Sequence, residues 1–131
     1  MIGIMPCESG GHHSLNFVDD RNRLVGYEYE QQCCEDFGYV FIKSGPDIDV
    51  DEICNSGESG YGRDVSKYKA VESPDLSNAY FAEEQPLIED GKFRIEGCAE
   101  CDWLVLFNYH NGYYSHGFKF KVGDDVTDGV L

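Results

Sequence analysis

The sequence feature that most constrains the fold is Asn111-Gly112, a dipeptide set between two segments that are rich in apolar and aromatic residues. This dipeptide favours a two-residue type I′ turn, because that turn needs positive φ at both central residues. Residues 102–122 are therefore predicted to form one long antiparallel hairpin in which Trp103 faces Phe120. The apolar face of this hairpin is expected to comprise Trp103, Val105, Phe107, Tyr109, Tyr114, Phe118 and Phe120.

Shorter segments, of which residues 23–30 alternate with a two-residue period, predict further strands. These segments are residues 14–18, 23–30, 38–43, 68–71 and 93–97. The first two are expected to pair as a second hairpin around a turn at residues 19–22. A short helix is predicted at residues 47–54, and residues 74–86 are expected either to be irregular or to contain one short helix at 79–84. The stretch 55–91 carries the weakest pattern.

With 131 residues, the chain fits a single domain spanning residues 1–131. We predict an α+β fold that is mainly antiparallel β, with one or two short helices and the long C-terminal hairpin. A β-roll, a sandwich and a partly open barrel all satisfy this pattern. Residues 1–12 and 123–131 are expected to be flexible ends, the second of them an acidic tail.

The chain carries 25 acidic and 10 basic residues, which gives a net charge of −15. Such a balance argues against direct nucleic-acid binding, which neutralises phosphates with Lys and Arg, and against docking on anionic membranes. The simplest interpretation is a well-solvated surface, and the alternative is a negative face for a basic protein or a cation. No segment reaches the roughly 18 apolar residues of a membrane span. Residues 1–11 do not resemble a signal peptide, so a cytoplasmic location is expected.

Six cysteines in a cytoplasmic chain are expected to be reduced thiols or metal ligands. Cys98 and Cys101 form a C-x-x-C motif, and Cys33 and Cys34 are adjacent. Four thiolates could hold one zinc ion tetrahedrally, and no other cofactor is expected. Adjacent residues in extended backbone point to opposite faces, so the competing interpretation is that Cys33 or Cys34 packs as a small apolar residue. A thioredoxin-like role for Cys98 and Cys101 is disfavoured, because a strand and not a helix is predicted after them.

The sequence contains no recognised catalytic motif, which makes an enzyme the less favoured class. The acidic residues of segment 47–58 are spaced as in an EF-hand loop, but Glu52 stands where the sharp turn needs Gly. His116 is predicted to lie on the aromatic face of the hairpin, which is more typical of a hydrogen-bonded core residue than of a base.

The tip of the predicted hairpin is rich in tyrosine, a residue that buries its ring at binding surfaces while its hydroxyl stays in water. The candidate binding residues are Tyr109, Tyr113, Tyr114 and His116. A second hypothesis is a small-molecule-binding β-barrel with a pocket lined by Tyr27, Tyr29, Trp103 and His116.

Two segments resemble a known family. Residues 27–37 (YEYEQQCCEDF) and 111–118 (NGYYSHGF) are similar to runs found in DUF7448, a family of small domains common in phages and bacteria, and residues 45–51 loosely match its acidic stretch. The resemblance implies a shared fold and a phage or other mobile-element context, and no activity is attached to the family. Glu28 and Glu30 stand in the region where the family usually has a His, which weakens a metal site built from His and Cys.

The leading functional hypothesis is a non-enzymatic, acidic protein-interaction module of mobile-element type. Its partner would be an unidentified protein of basic character, and one version is a mimic of nucleic acid in which carboxylates replace phosphates. A second copy of the chain, paired through an edge strand, is a further candidate partner. The alternatives are the zinc-binding domain and the small-molecule-binding barrel described above.

Overall fold

The computed structural model describes residues 1–9, 12–29, 36–43, 70–71, 73–85, 87–109 and 117–130. Within these residues there are ten strands and one 3-10 turn, Ile88–Asp90. The strands are β1 (Gly3–Ser9), β2 (His12–Val18), β3 (Arg23–Glu28), β4 (Asp36–Ile42), β5 (Ala70–Val71), β6 (Tyr80–Phe81), β7 (Lys92–Glu96), β8 (Trp103–Tyr109), β9 (Gly117–Val122) and β10 (Asp125–Val130).

The strands form two open sheets of five strands each. Sheet A has the order β1-β2-β3-β9-β10, and sheet B has the order β5-β4-β8-β7-β6. All strand pairs are antiparallel. The mainly antiparallel β fold is thus confirmed, and of the three architectures considered it is the sandwich and not a closed barrel.

Aromatic side chains fill the space between the two sheets, which we call the main core. Phe17 of sheet A packs edge-on against Phe41 of sheet B, with ring centroids 6.3 Å apart. Phe93 of sheet B lies 5.7 Å from Phe120 of sheet A. Strand β9 shows why the chain folds this way, because Phe118 and Phe120 are buried while Lys119 between them is exposed. Alternation of this kind is the pattern expected of a strand with one face on a core.

The prediction of one long hairpin around Asn111-Gly112 is wrong. Strand β8 pairs with β4 and β7 in sheet B, whereas β9 pairs with β3 and β10 in sheet A. Trp103 therefore lies opposite Ile42 and not opposite Phe120. Residues 110–116 lie outside the described residues. A C-terminal hairpin does exist, but it joins β9 to β10 at Gly123, whose positive φ of 59° suits a tight turn.

Strand β8 of sheet B is buried on both faces, which explains this error. Leu104 and Leu106 of β8 point into the main core, whereas Trp103 and Val105 point outward into a separate cluster. This second core consists of Ile42, Leu87, Trp103 and Val105, with Val40 at its edge. Strands buried on both faces read as continuous apolar runs, so one aromatic face of such a run does not identify its partner.

Several local expectations are confirmed and others need correction. Strands were expected within or close to β2, β3, β4, β5 and β7, and the first two of these do form a hairpin. The helix predicted at residues 79–84 is wrong, because the backbone there forms β6. The ends that we expected to be loose form the edge strands β1 and β10. The helix predicted at residues 47–54 lies outside the described residues.

Two polar contacts tie the sheets together. The buried carboxylate of Asp19, in the turn after β2, accepts hydrogen bonds from the backbone N–H groups of Arg21 and Arg23 at 2.9 Å each, and from that of Phe81 in β6 at 3.0 Å. The buried Tyr27 hydroxyl donates to the carbonyl oxygen of Phe107 at 2.8 Å. These buried hydrogen bonds fix the position of one sheet relative to the other, in addition to the apolar contacts.

Candidate functional site

Among the described residues, the outer face of sheet A is more open than the outer face of sheet B. The second core lies on the outer face of sheet B, where Trp103 and Val105 are buried. On the outer face of sheet A, by contrast, Cys7, Lys119 and Asp128 are exposed, and Ser14 and Asn16 are partly exposed. This face is therefore where a ligand or partner can reach the sheet.

One row of residues crosses four strands of this face. Asn16 of β2 lies opposite Gly26 of β3, Gly26 lies opposite Lys119 of β9, and Lys119 lies opposite Asp128 of β10. Gly26 has no Cβ, and the neighbouring side chains lean over it. A Cβ built there would lie 3.1 Å from Asn16 Oδ1 and 3.1 Å from Lys119 Cε. Glycine within a strand often marks a place where another group approaches the backbone closely.

A trough of about 490 Å³ runs over this row. Its floor includes Gly26 and Gly117, and its walls include the side chains of Cys7, Ser14, Asn16, Glu28, Lys119 and Asp128. Glu28 closes one part of the trough, because its Oε2 accepts a hydrogen bond from the Gly117 N–H at 3.0 Å. This bond fixes the end of β3 against the start of β9.

The trough is suited to hydrogen bonding and to charge recognition. Among its charged lining residues, Glu28 and Asp128 are acidic and Lys119 is basic. Asn16 offers both a donor and acceptors, and Ser14 offers a hydroxyl. Cys7 contributes a thiol to the described lining.

The predicted tyrosine site adjoins the trough in sequence. Tyr113, Tyr114 and His116 lie outside the described residues, as does any contact that they make. Tyr109 ends β8, where its backbone pairs with Asp36. Gly117, which follows His116 directly, is part of the trough floor. The segment predicted to bind a partner therefore directly precedes, in sequence, a residue that lines the trough.

The C-x-x-C motif does bring its two sulfurs together. Cys98 and Cys101 lie in the connection between β7 and β8, and Cys101 Sγ donates to Cys98 Sγ over 3.1 Å. Cys101 is buried and Cys98 is partly exposed. Burial raises the pKa of the Cys101 thiol, and the contact with Cys98 raises it further. Cys98 Sγ also lies 3.5 Å from the carbonyl oxygen of Asp75.

A zinc ion held by all four predicted cysteines involves Cys33 and Cys34, which lie outside the described residues. Among the residues that the structure describes, no group of three or more His, Cys, Asp or Glu side chains could hold a metal ion. The four-cysteine site stays a prediction.

The pocket predicted from Tyr27, Tyr29, Trp103 and His116 is not assembled by the residues described. Tyr27 belongs to the main core, and Trp103 belongs to the second core on the other face of sheet B. His116 lies outside the described residues. Tyr29 is exposed just after the end of β3. Partial burial raises the pKa of its hydroxyl, and the nearby Tyr39 raises this pKa further.

Sequence reasoning missed the row that forms the trough. Asn16, Lys119 and Asp128 carry no motif, and their alignment depends on pairing between strands that are far apart in sequence. Gly26 was the available signal, because a glycine in the middle of a strand indicates a close approach by another group.

Comparisons with protein-family models, with curated proteins and with solved structures give no match for this chain. The resemblance to DUF7448 thus rests on its two sequence segments alone. No helix in the described ranges combines the length and the apolar character required to cross a bilayer.

Proposed function

We propose that this chain is a non-enzymatic protein-interaction module that binds a polar, basic segment of a partner protein in the trough of sheet A. The observation that carries the proposal is the trough over Gly26, where the side chains of Asn16 and Lys119 lie across a glycine on an exposed sheet face. Concave sites with a few convergent polar groups are where proteins bind ligands.

Charge supports a basic partner. The whole chain carries a net charge of −15, and two of the three charged residues lining the trough are acids. Opposite charge on a partner speeds encounter and disfavours wrong partners. The version in which the surface mimics nucleic acid makes the same demand, because a nucleic-acid-binding groove is basic.

The proposed setting is the cytoplasm, in a phage or another mobile element. The cysteines among the described residues are all free thiols, which is usual for a reducing compartment. The mobile-element context depends on the resemblance to DUF7448.

Two matched pairs of variants test the proposal. Gly26→Val fills the trough, and Gly3→Val places the same side chain on another strand of sheet A, where a Cβ meets nothing within 4 Å. Asp128→Lys reverses a charge in the trough, and Asp125→Lys makes the same change three residues earlier on the same strand, at a position that faces the opposite side of the sheet. Circular dichroism confirms that each variant is folded.

Each immobilised variant is then mixed with a cell lysate in about 0.05 M and about 0.5 M salt, and the bound proteins are quantified by mass spectrometry. We expect basic proteins that bind the wild type, Gly3→Val and Asp125→Lys chains at low salt, and that are lost from Gly26→Val and Asp128→Lys. Capture that is the same for all five chains, or that ignores salt, contradicts the proposal.

A further inference from the structure

The two sulfur atoms of the C-x-x-C motif lie closer together than side-chain packing alone requires. Their Sγ atoms are 3.1 Å apart, and both thiols are free. A disulfide bond is 2.03–2.05 Å long, so a sulfur movement of about 1 Å would join them. Cys98 and Cys101 are thus close to the geometry of a disulfide before any bond is made.

The backbone around the pair is held in place from both sides. The Ile95 N–H donates to the Asp102 carbonyl oxygen at 2.7 Å, which closes the turn between β7 and β8. Gly97 begins this turn with a φ of 78°, and a Cβ at this position would overlap the Asn78 carbonyl oxygen. The Asp75 N–H also donates to Glu100 Oε1 at 2.9 Å. The two cysteines therefore stay together in a fixed turn.

Accessibility gives the two thiols different roles. Cys98 is partly exposed and can meet a small molecule from solvent, whereas Cys101 is buried beneath it. This arrangement of an accessible thiol next to a protected second thiol is typical of reversible redox pairs, in which the second cysteine resolves an adduct formed on the first.

We propose that Cys98 and Cys101 form a reversible redox site that is oxidised by a small-molecule disulfide such as glutathione disulfide. The Cys98 thiolate attacks one sulfur of glutathione disulfide, and the other glutathione leaves as a thiolate. The Cys101 thiol then gives its proton, through solvent, to the first glutathione thiolate and attacks Cys98 Sγ. This attack forms the Cys98–Cys101 disulfide and releases the second glutathione thiolate, which takes up from solvent the proton that Cys98 lost. Overall, the two cysteines lose two electrons and two protons, and glutathione disulfide gains them as two molecules of glutathione.

The test equilibrates the full chain, with a chelator present, in a series of ratios of reduced to oxidised glutathione. The reaction is stopped with acid, free thiols are alkylated, and peptides are mapped by mass spectrometry. We expect a single internal disulfide that joins Cys98 to Cys101, that forms at ratios where the exposed Cys7 is still mainly free, and that excess reduced glutathione reverses. Cys7→Ser is the matched control and leaves this disulfide unchanged.

Two further variants separate the steps. Cys101→Ser removes the resolving thiol, so we expect Cys98 to accumulate as its mixed disulfide with glutathione. Cys98→Ser, which alters the more accessible residue, leaves Cys101 reduced at every ratio. The proposal is overturned if wild-type Cys98 keeps glutathione, or if both thiols are still alkylated where Cys7 is glutathionylated. It is also overturned if the chain purified without chelator holds zinc that protects both thiols from alkylation.

Discussion

At the scale of single residues, a few polar and glycine positions decide how the two sheets meet. Asp19 uses both carboxylate oxygens, Oδ1 within its own turn and Oδ2 on the N–H of Phe81 in the other sheet. The sequence identified residues 19–22 as a turn. It could not show that Asp19 also holds Phe81, because a contact between residues so far apart along the chain leaves no local pattern.

Replacing Asp19 with Ala should therefore destabilise the fold strongly. Three backbone N–H groups would lose their acceptor, and leaving a buried donor unsatisfied costs about 1–3 kcal/mol. We expect the free energy of unfolding, measured in urea, to fall by about 3 kcal/mol. Asp20→Ala is the control, because Asp20 is exposed and pairs only with the N-terminal ammonium among its described contacts. An exposed pair is worth at most about 1 kcal/mol, so equal losses in the two variants would contradict this role for Asp19.

Glycine at position 129 gives a second test at this scale. A Cβ on Gly129 would overlap the ring tip of Phe118, which is buried in the main core. Overpacking of a core costs about 1–3 kcal/mol, so Gly129→Ala should lower the free energy of unfolding by that amount. Gly3→Ala is the matched change on the other edge strand of sheet A, where nothing lies within 4 Å, and it should leave stability almost unchanged. The two variants are compared by thermal unfolding.

At the scale of elements, local pattern predicted most strands and failed on their partners. Local sequence located β2, β3, β4 and β7, because β-forming residues recur in each segment either in alternation or as a short continuous apolar run. The same pattern placed β8 and β9 in one hairpin, whereas they belong to different sheets. Sheet membership depends on which faces are covered, and the second core that covers β8 includes Leu87 from a distant loop. The trough depends on the same long-range pairing, which is why only Gly26 hinted at it.

The fluorescence of Trp103 reports on the second core, because Trp103 is the only tryptophan in the chain and is 4% exposed. Leu87→Ala removes a packing partner of Trp103, and a buried Leu→Ala change costs about 2–5 kcal/mol. We expect this variant to be less stable and its tryptophan emission to shift to longer wavelength with faster acrylamide quenching. Leu76→Ala is the control, because Leu76 packs on the main core. If Trp103 responds equally to both variants, the two cores are not separate.

At the scale of the whole molecule, the net charge of −15 acts against the compact sandwich while it favours a basic partner. Like charges held close together repel, and salt screens this repulsion over a Debye length of about 8–10 Å at physiological ionic strength. The tertiary contacts that resist it are mostly apolar and aromatic, as the main core shows. Stability and partner binding should therefore respond to salt in opposite directions.

Sodium chloride raised from about 0.01 M to about 0.15 M should accordingly increase the free energy of unfolding. Two exposed positions provide the comparison. Lys121→Glu makes the chain two charges more negative and should steepen the increase, whereas Glu84→Lys makes it two charges less negative and should flatten it. Urea unfolding at each salt concentration measures the three slopes. Three equal slopes would mean that local ion pairs, and not net charge, govern the salt response, and the charge argument for a basic partner would lose its physical basis.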